Sequence, residues 1–374
     1  VDQNRRGFFT SWIQITATVG MALSLAVIFV TRIIVGEESF NAWGWRIPFL
    51  LSIILLVVTI WIQMRLSESP VYLEMKASGK TSKQPLTDAF GNWTNLRLIL
   101  TALFGAMVGQ AVIWYAAQFY VFFFMERVLK VDAALANLLV AAALIISTPL
   151  YIFFGWLSDK VGRRPVILGA CLLAALPYFP LFKALTAAAN PAMANAVATA
   201  PVTVWADKEE CTFQFDPIGT ATFSSSCDIV RSYLARAGVS YSTEAASPGS
   251  VARLQVGERT LDSFRGGSMS TQGLREQRGA WEKQAAMIVA EAGYPLSAAR
   301  EQINVPMVLL ILVVIMSFSA MVYGPMAALL TELFPAKVRY TSMTLPYHLG
   351  TGWFGGFLPP VAFAIVAATG NIYS

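Results

Sequence analysis

Seven stretches of this sequence are long and apolar enough to cross a bilayer as helices: residues 8–34, 46–66, 97–125, 134–157, 165–187, 304–331 and 341–368. A hydrocarbon core about 30 Å thick takes roughly 20 apolar residues to span. No ionised residue falls within 47–64, and 8–34 carries none before Arg32. At that depth a backbone must satisfy its own N–H and C=O groups, which leaves the helix as the solution for single runs of this kind. Each run is apolar on most faces, unlike the one-sided stripe of a soluble surface helix. The first is too long for a signal peptide and has no small-residue cleavage pattern. Charged residues are 13% of the 374, against about 25% in soluble domains. An ordinary soluble enzyme, a disordered chain and a coiled coil are thereby excluded. The predicted fold class is an all-α polytopic membrane protein of about seven transmembrane helices.

Residues 190–303 break this pattern. They hold ten Lys and Arg and twelve Asp and Glu, so the remainder of the chain keeps 17 of the 27 cations and 10 of the 22 acids. The basic excess therefore belongs to the membrane part and does not point to nucleic acid. Twelve of those 17 lie on one side when the runs are alternated across a bilayer: Arg5, Arg6, Arg65, Lys76, Lys80, Lys83, Arg97, Lys160, Arg163, Arg164, Lys337 and Arg339. Short loops rich in Lys and Arg stay in the cytoplasm, so that side is predicted to be cytoplasmic. The insert 190–303 then falls on the opposite, extracytoplasmic side.

Two of the three cysteines, Cys211 and Cys227, sit in that insert and bracket a Gly/Pro/Ser-rich stretch. An oxidising compartment favours a disulfide between them; two free thiols are the alternative. Cys171 lies in an apolar run and reads as a packed thiol. Alternation of apolar and polar residues over 251–264 around Val256-Gly257-Glu258 predicts a hairpin, and 277–292 has helical spacing stopped by Gly293. The insert is thus expected to be a small α+β cap. It contains no histidine and no metal-ligand spacing, so no metal and no cofactor are expected.

Polar residues at membrane depth are candidates for function. Gln110, Trp114, Tyr115 and Gln118 recur at spacings of three and four in the third run. They suit hydrogen bonding and stacking on a solute, or equally interhelical packing. Tyr323 precedes a Gly324-Pro325 break, which exposes backbone to a cavity or merely kinks the helix. His348, the only histidine, is placed to exchange protons near neutral pH or to pack as a neutral ring. No Asp, Glu, Lys or Arg lies mid-span.

The most specific motif runs from Gly155 through Trp156-Leu157-Ser158-Asp159-Lys160-Val161-Gly162-Arg163-Arg164 to Pro165, between the fourth and fifth runs. An acid at a helix end, a tight turn and three cations suit an inter-helix hinge. There Asp159 can pair with cations or cap a neighbouring helix. This segment resembles the signature loop of the major facilitator superfamily. Asn41-Ala42-Trp43-Gly44-Trp45-Arg46-Ile47-Pro48-Phe49, Arg5-Arg6-Gly7-Phe8-Phe9-Thr10-Ser11 and Glu332-Leu333-Phe334-Pro335-Ala336-Lys337-Val338-Arg339-Tyr340 are similar to loops of its metabolite:proton symporters. The Cys-flanked insert resembles that of a subgroup with a long external loop.

The resemblance implies two six-helix halves with substrate at the midplane. It also implies that the seven runs are spans five to eleven, the others lying before Val1 and after Ser374. Residues 1–66 would end the N-terminal half and 67–96 form the central cytoplasmic loop. Residues 97–189 would hold spans seven to nine, 190–303 the periplasmic insert, and 304–374 spans ten and eleven. The implied activity is proton-coupled symport of an organic acid or zwitterionic osmolyte by a monomer in the lipid bilayer. The partners are the solute and protons, and a proton gradient drives transport. The proton-carrying acid is expected upstream. Gln110, Trp114, Tyr115, Gln118, Tyr323 and His348 would line the solute cavity. Gly155, Asp159, Lys160, Gly162, Arg163, Arg164, Glu332 and Arg339 would form the cytoplasmic gate. A rival from another class is a non-transporting sensor whose insert binds ligand. A membrane enzyme is disfavoured, because no cluster of His, Asp and Glu is present.

Overall fold

The structure is a computed structural model and describes residues 3–68, 70–218 and 220–373. In chain order its main elements are α1 (Arg6–Val35), α2 (Arg46–Arg65), α3 (Trp93–Val128), α4 (Ala133–Val161), α5 (Arg163–Ala175) and α6 (Tyr178–Ala189). The insert comes next, with β1 (Val202–Ala206), α7 (Ser226–Ala237), β2 (Ser242–Ala245), β3 (Arg253–Val256), β4 (Arg259–Asp262) and α8 (Thr271–Glu291). Then come α9 (Val305–Leu333) and α10 (Arg339–Thr369). Among the described residues six helices are long and apolar enough to cross a membrane, and α5 with α6 makes a seventh if the pair is one span. This is the polytopic all-α class read from the apolar runs. The fifth run, expected as a single span over 165–187, is instead two helices, α5 and α6, separated by a break. Pro177 sits at the break, where a ring without an N–H stops the helical ladder.

The chain divides into two compact units. The first comprises residues up to Trp114, 140–174 and 316–355; the second comprises 115–139, 175–315 and those from 356 on. Packing in the first unit obeys membrane rules. Helix α1 buries Gly7, Ser11, Gln14 and Thr18, a stripe of small and polar residues at spacings of four, three and four. Its large apolar side chains, such as Ile13, Leu23 and Ile33, stay exposed. Small faces let helices approach closely where lipid offers no hydrophobic driving force between them. Helix α2 buries no residue at all.

In the second unit the insert has a core of its own, built on Val202, Val204, Leu254, Ile229, Leu234, Trp281 and Val289. Its sheet has the order β2-β1-β3-β4. Strands β1 and β2 run parallel, with Thr203 opposite Ser242, and α7 makes the crossover between them. Strands β1 and β3 are antiparallel, with Val204 opposite Leu254. Strands β3 and β4 form the hairpin expected at 251–264, and Gly257 takes the left-handed conformation (φ 58°) that its two-residue turn requires. Helix α8 starts at Thr271, earlier than the expected 277, because Ser270 caps it by accepting from the Gly273 N–H. Cys211 and Cys227 are disulfide-bonded, with Cα atoms 5.2 Å apart. Gly219, inside that loop, lies outside the described residues.

The insert is fastened to the helix ends of its own unit. Tyr241 donates its backbone N–H to the Gly370 carbonyl (2.7 Å) and its hydroxyl to that of Ala367. The Arg231 guanidinium donates to the Ala368 carbonyl. The last carbonyls of α10, which have no intrahelical partner, thus find donors, one of them cationic and favoured by the helix dipole. Beyond α3, Asn190 donates to the Leu129 carbonyl (2.9 Å), and Ala298 N–H to that of Lys130 (2.9 Å).

Candidate functional site

Two constellations stand out in the first unit. At one, Asp159 near the end of α4 accepts the backbone N–H of Gly7 at Oδ1 and of Phe8 at Oδ2, both at 2.8 Å. These N–H groups belong to the first turn of α1, which has no internal acceptor for them. Arg163 closes the cluster: it pairs with Asp159 at 2.6 Å and Glu332 at 3.2 Å, and donates to Ser158 Oγ at 2.9 Å. Arg6 reaches Glu332 at 3.5 Å. The Asp159 side chain is only 5% exposed. A charge buried to that degree is tolerable when paired and hydrogen-bonded, and removing one partner is costly. The approach is permitted by glycine on both helices. A Cβ on Gly7 would sit 2.5 Å from the Gly155 carbonyl oxygen.

The remaining signature residues take supporting places. Gly162 (φ 101°) ends α4 in a conformation side chains disfavour. Lys160 lies 5.6 Å over the Trp156 ring, and Arg164 is exposed. Arg339 Nε donates to the Phe334 carbonyl and so closes the turn ahead of α10. In that same turn Lys337 binds Asp88 at 2.8 Å, and this hydrogen bond holds the Asp88 carboxyl below its ordinary value.

The second constellation lies along the spans. Tyr323 and Tyr347 share a hydroxyl–hydroxyl hydrogen bond of 2.8 Å. The Tyr323 ring is 6.0 Å from Trp114 and 6.3 Å from Tyr151, centroid to centroid. The Tyr151 hydroxyl lies 3.4 Å from Ser319 Oγ. Gly324 keeps this close, since a Cβ there would meet the Tyr151 carbonyl at 2.8 Å. One turn before Trp114, Gln110 is fully buried and neither atom of its amide has a hydrogen-bond partner among the described residues. Such an amide costs about 1–3 kcal/mol until something bonds it.

Of the six expected cavity residues, Trp114 and Tyr323 are in this cluster, with Gln110 a turn away. Tyr115 and Gln118 fall in the second unit, where Tyr115 stacks on Phe119 at 5.2 Å and Gln118 is fully buried. His348 is exposed, its ring edge-on to Tyr347 at 5.5 Å. Its neighbour Tyr347 is the one that joins Tyr323. The sequence did carry a signal for this. Ser342, Pro346 and Gly350 recur at spacings of four and are buried. Position 348 is two residues from that stripe, about 200° around a helix with 3.6 residues per turn.

The family model for the major facilitator superfamily matches residues 1–208. The chain belongs to the major facilitator superfamily. Among curated proteins it is 29% identical over 191 residues to the alpha-ketoglutarate permease of Escherichia coli, covering 50% of this chain and 42% of that one. It is 27% identical over 190 residues to the shikimate transporter of the same organism, with the same 50% and 42% coverage. To the proline/betaine transporter of Salmonella typhimurium it is 28% identical over 183 residues, 46% of this chain and 36% of that one. The chain thus spans less than half the length of these relatives. No solved structure matches it. The relatives are the organic-acid and betaine carriers of the subgroup that the loop motifs resemble, and they are named as permeases and transporters, not enzymes.

Proposed function

We propose that the protein is a secondary transporter that moves a small organic solute by proton-coupled symport. The observation that carries this reading is the Trp114–Tyr323–Tyr347 cluster, with Tyr323 buried and the other two half-buried, and the unpartnered Gln110 amide a turn away, all within the apolar spans of a chain of this superfamily. Rings and hydroxyls there offer a solute stacking surface and hydrogen bonds, and a bonded Gln110 would recover its desolvation cost. Organic acids and betaines, for which the relatives are named, are the solutes to test first.

In this reading Asp159, Arg163, Arg6 and Glu332 hold the cytoplasmic ends of α1, α4 and α9 together, and release of that network accompanies opening to the cytoplasm. Lys160, Gly162, Arg164 and Arg339 shape the same loops. Tyr115, Gln118 and His348 remain candidate solute contacts. The excess of Lys and Arg in the short loops supports a cytoplasmic location for that network, and a periplasmic one for the insert of an inner-membrane protein. The chain functions as a monomer and needs no cofactor beyond the proton gradient. Residues 1–66 and 97–189 with 304–374 contribute to the two halves of the carrier, and 67–96 joins them.

The test is uptake of labelled alpha-ketoglutarate, shikimate, proline and betaine by cells expressing the gene, with and without a protonophore. One of these should accumulate in a protonophore-sensitive way. Tyr323→Phe and Trp114→Ala should lower its uptake at unchanged membrane abundance. Uptake equal to wild type in both variants would remove the cluster from the solute path.

A further inference from the structure

The insert lines a half-open cleft of 590 Å³ where it meets helix ends of its unit. The disulfide-closed loop contributes Asp216 and Phe223 to the lining, α3 and α10 contribute Phe123 and Phe363, and the insert helices contribute Arg236 and Arg278. The size suits a metabolite, for which cavities run from about 300 to 1,000 Å³ with apolar walls and few convergent polar groups.

The charges in it are unequally matched. Arg236 and Arg278 both bond the same oxygen, Oε1 of Glu282, at 2.5 and 2.9 Å. Arg278 also donates to Ser232 Oγ at 2.6 Å, and Arg236 Nε to the Ser232 carbonyl at 3.1 Å. A guanidinium has five N–H donors. These bonds use two on each, and one carboxylate offsets only one of the two positive charges. Asp216 accepts the N–H groups of Thr220 (3.1 Å) and Ala221 (3.2 Å) and so is bonded into its own loop. The remainder is a pair of guanidiniums with spare donors in a lining that also holds Phe123, Phe223 and Phe363. Planar forks of this kind bind carboxylates in two-point fashion, and the rings accept an apolar body.

We propose that this cavity is a capture site for small organic carboxylates, on the insert side of the membrane and separate from the Trp114–Tyr323–Tyr347 cluster. It binds its ligand whether or not the protein transports it, so absence of uptake would leave the site standing.

The test uses the full chain in lipid nanodiscs and benzoate as the probe, with neutral benzamide as its isosteric control, read by titration calorimetry. Benzoate should bind and benzamide should not. Arg236→Gln should weaken benzoate about tenfold, the size of one charge-assisted hydrogen bond. Glu282→Gln should tighten it by a few-fold, because it frees both guanidiniums. Opposite signs in two neighbouring variants separate a binding site from a general loss of folding, and melting curves of both variants check the fold. Equal binding of benzoate and benzamide, no binding of benzoate, or unchanged affinity in both variants would each overturn the proposal. So would loss of binding in Trp114→Ala, which would move the probe to the mid-span cluster.

Discussion

Replacing Gly155 by alanine tests the crossing that brings Asp159 to the start of α1. A Cβ at that position would lie 2.6 Å from the Ser11 Cβ and 2.7 Å from the Gly7 carbonyl oxygen, both on α1. Carbon atoms pack best at about 3.5–4.0 Å, so the helices have to part by about 1 Å. That displacement alone costs about 1–3 kcal/mol. It also lengthens the two 2.8 Å bonds from Gly7 and Phe8 to Asp159 toward about 3.8 Å, beyond hydrogen-bonding range. Bonds to a charged acceptor are worth about 1.5–3 kcal/mol each. Together these come to about 4–9 kcal/mol, the lower end applying because Arg163 stays paired to Asp159. The assay is thermal unfolding of the purified chain in detergent, with amide exchange read at the first turn of α1. Gly155→Ala should melt several degrees lower and exchange faster at Gly7 and Phe8. The control is Gly20→Ala on α1, where nothing lies within 4 Å of the added carbon; it should melt at or slightly above wild type, since alanine favours helix. If the two variants melt alike, the close crossing does not stabilise the protein and the reasoning fails.

Two further outcomes concern the insert. Cys211→Ala with Cys227→Ala should cost about 3 kcal/mol, the chain-entropy value for a loop closed over a separation of 16 residues. Denaturant unfolding monitored at Trp281 reports it, and an unchanged midpoint would show the loop to be held without the bond. Burial raises Tyr233, Tyr241 and Tyr294 to about 12 from the ordinary 10.0. Their folded values lie above the unfolded ones, so the stabilisation is complete below pH 10 and is lost as pH rises through about 12. Tyrosinate absorbance against pH should show a late, cooperative step; Tyr241→Phe should shrink it and lower the insert's stability by about 1 kcal/mol through the lost bond to Ala367.

The spans were legible in the sequence because bilayer thickness fixes the length of an apolar run and leaves the backbone one way to satisfy itself. The hairpin was legible because Gly257 marks its turn, and Asp159 because an acid at a helix end has few uses. The parallel pairing of β1 with β2 was not, since its partners are about forty residues apart and neither strand signals the other. The face of α3 was only partly legible. A count at 3.6 residues per turn aligns Gln110, Trp114 and Gln118, but π turns occupy Leu103–Met107, Ala116–Tyr120 and Phe124–Val128. Each takes in an extra residue and rotates the helix beyond it. Trp114 precedes the second of these turns, and Gln118 lies inside it. His348 lies on the exposed face of its turn, while Tyr347 beside it bonds Tyr323, a difference of one position that composition does not signal.

The bonds from Arg231 and Tyr241 to the end of α10 run backwards along the chain, from an early segment to a late one. A ribosome delivers residues 202–291 before it delivers 358–369, so the receptor for the end of α10 is complete while that helix is still being made. Helix α10 is therefore received by a folded surface instead of searching for one, and an error in the insert would register as a misplaced helix some seventy residues later.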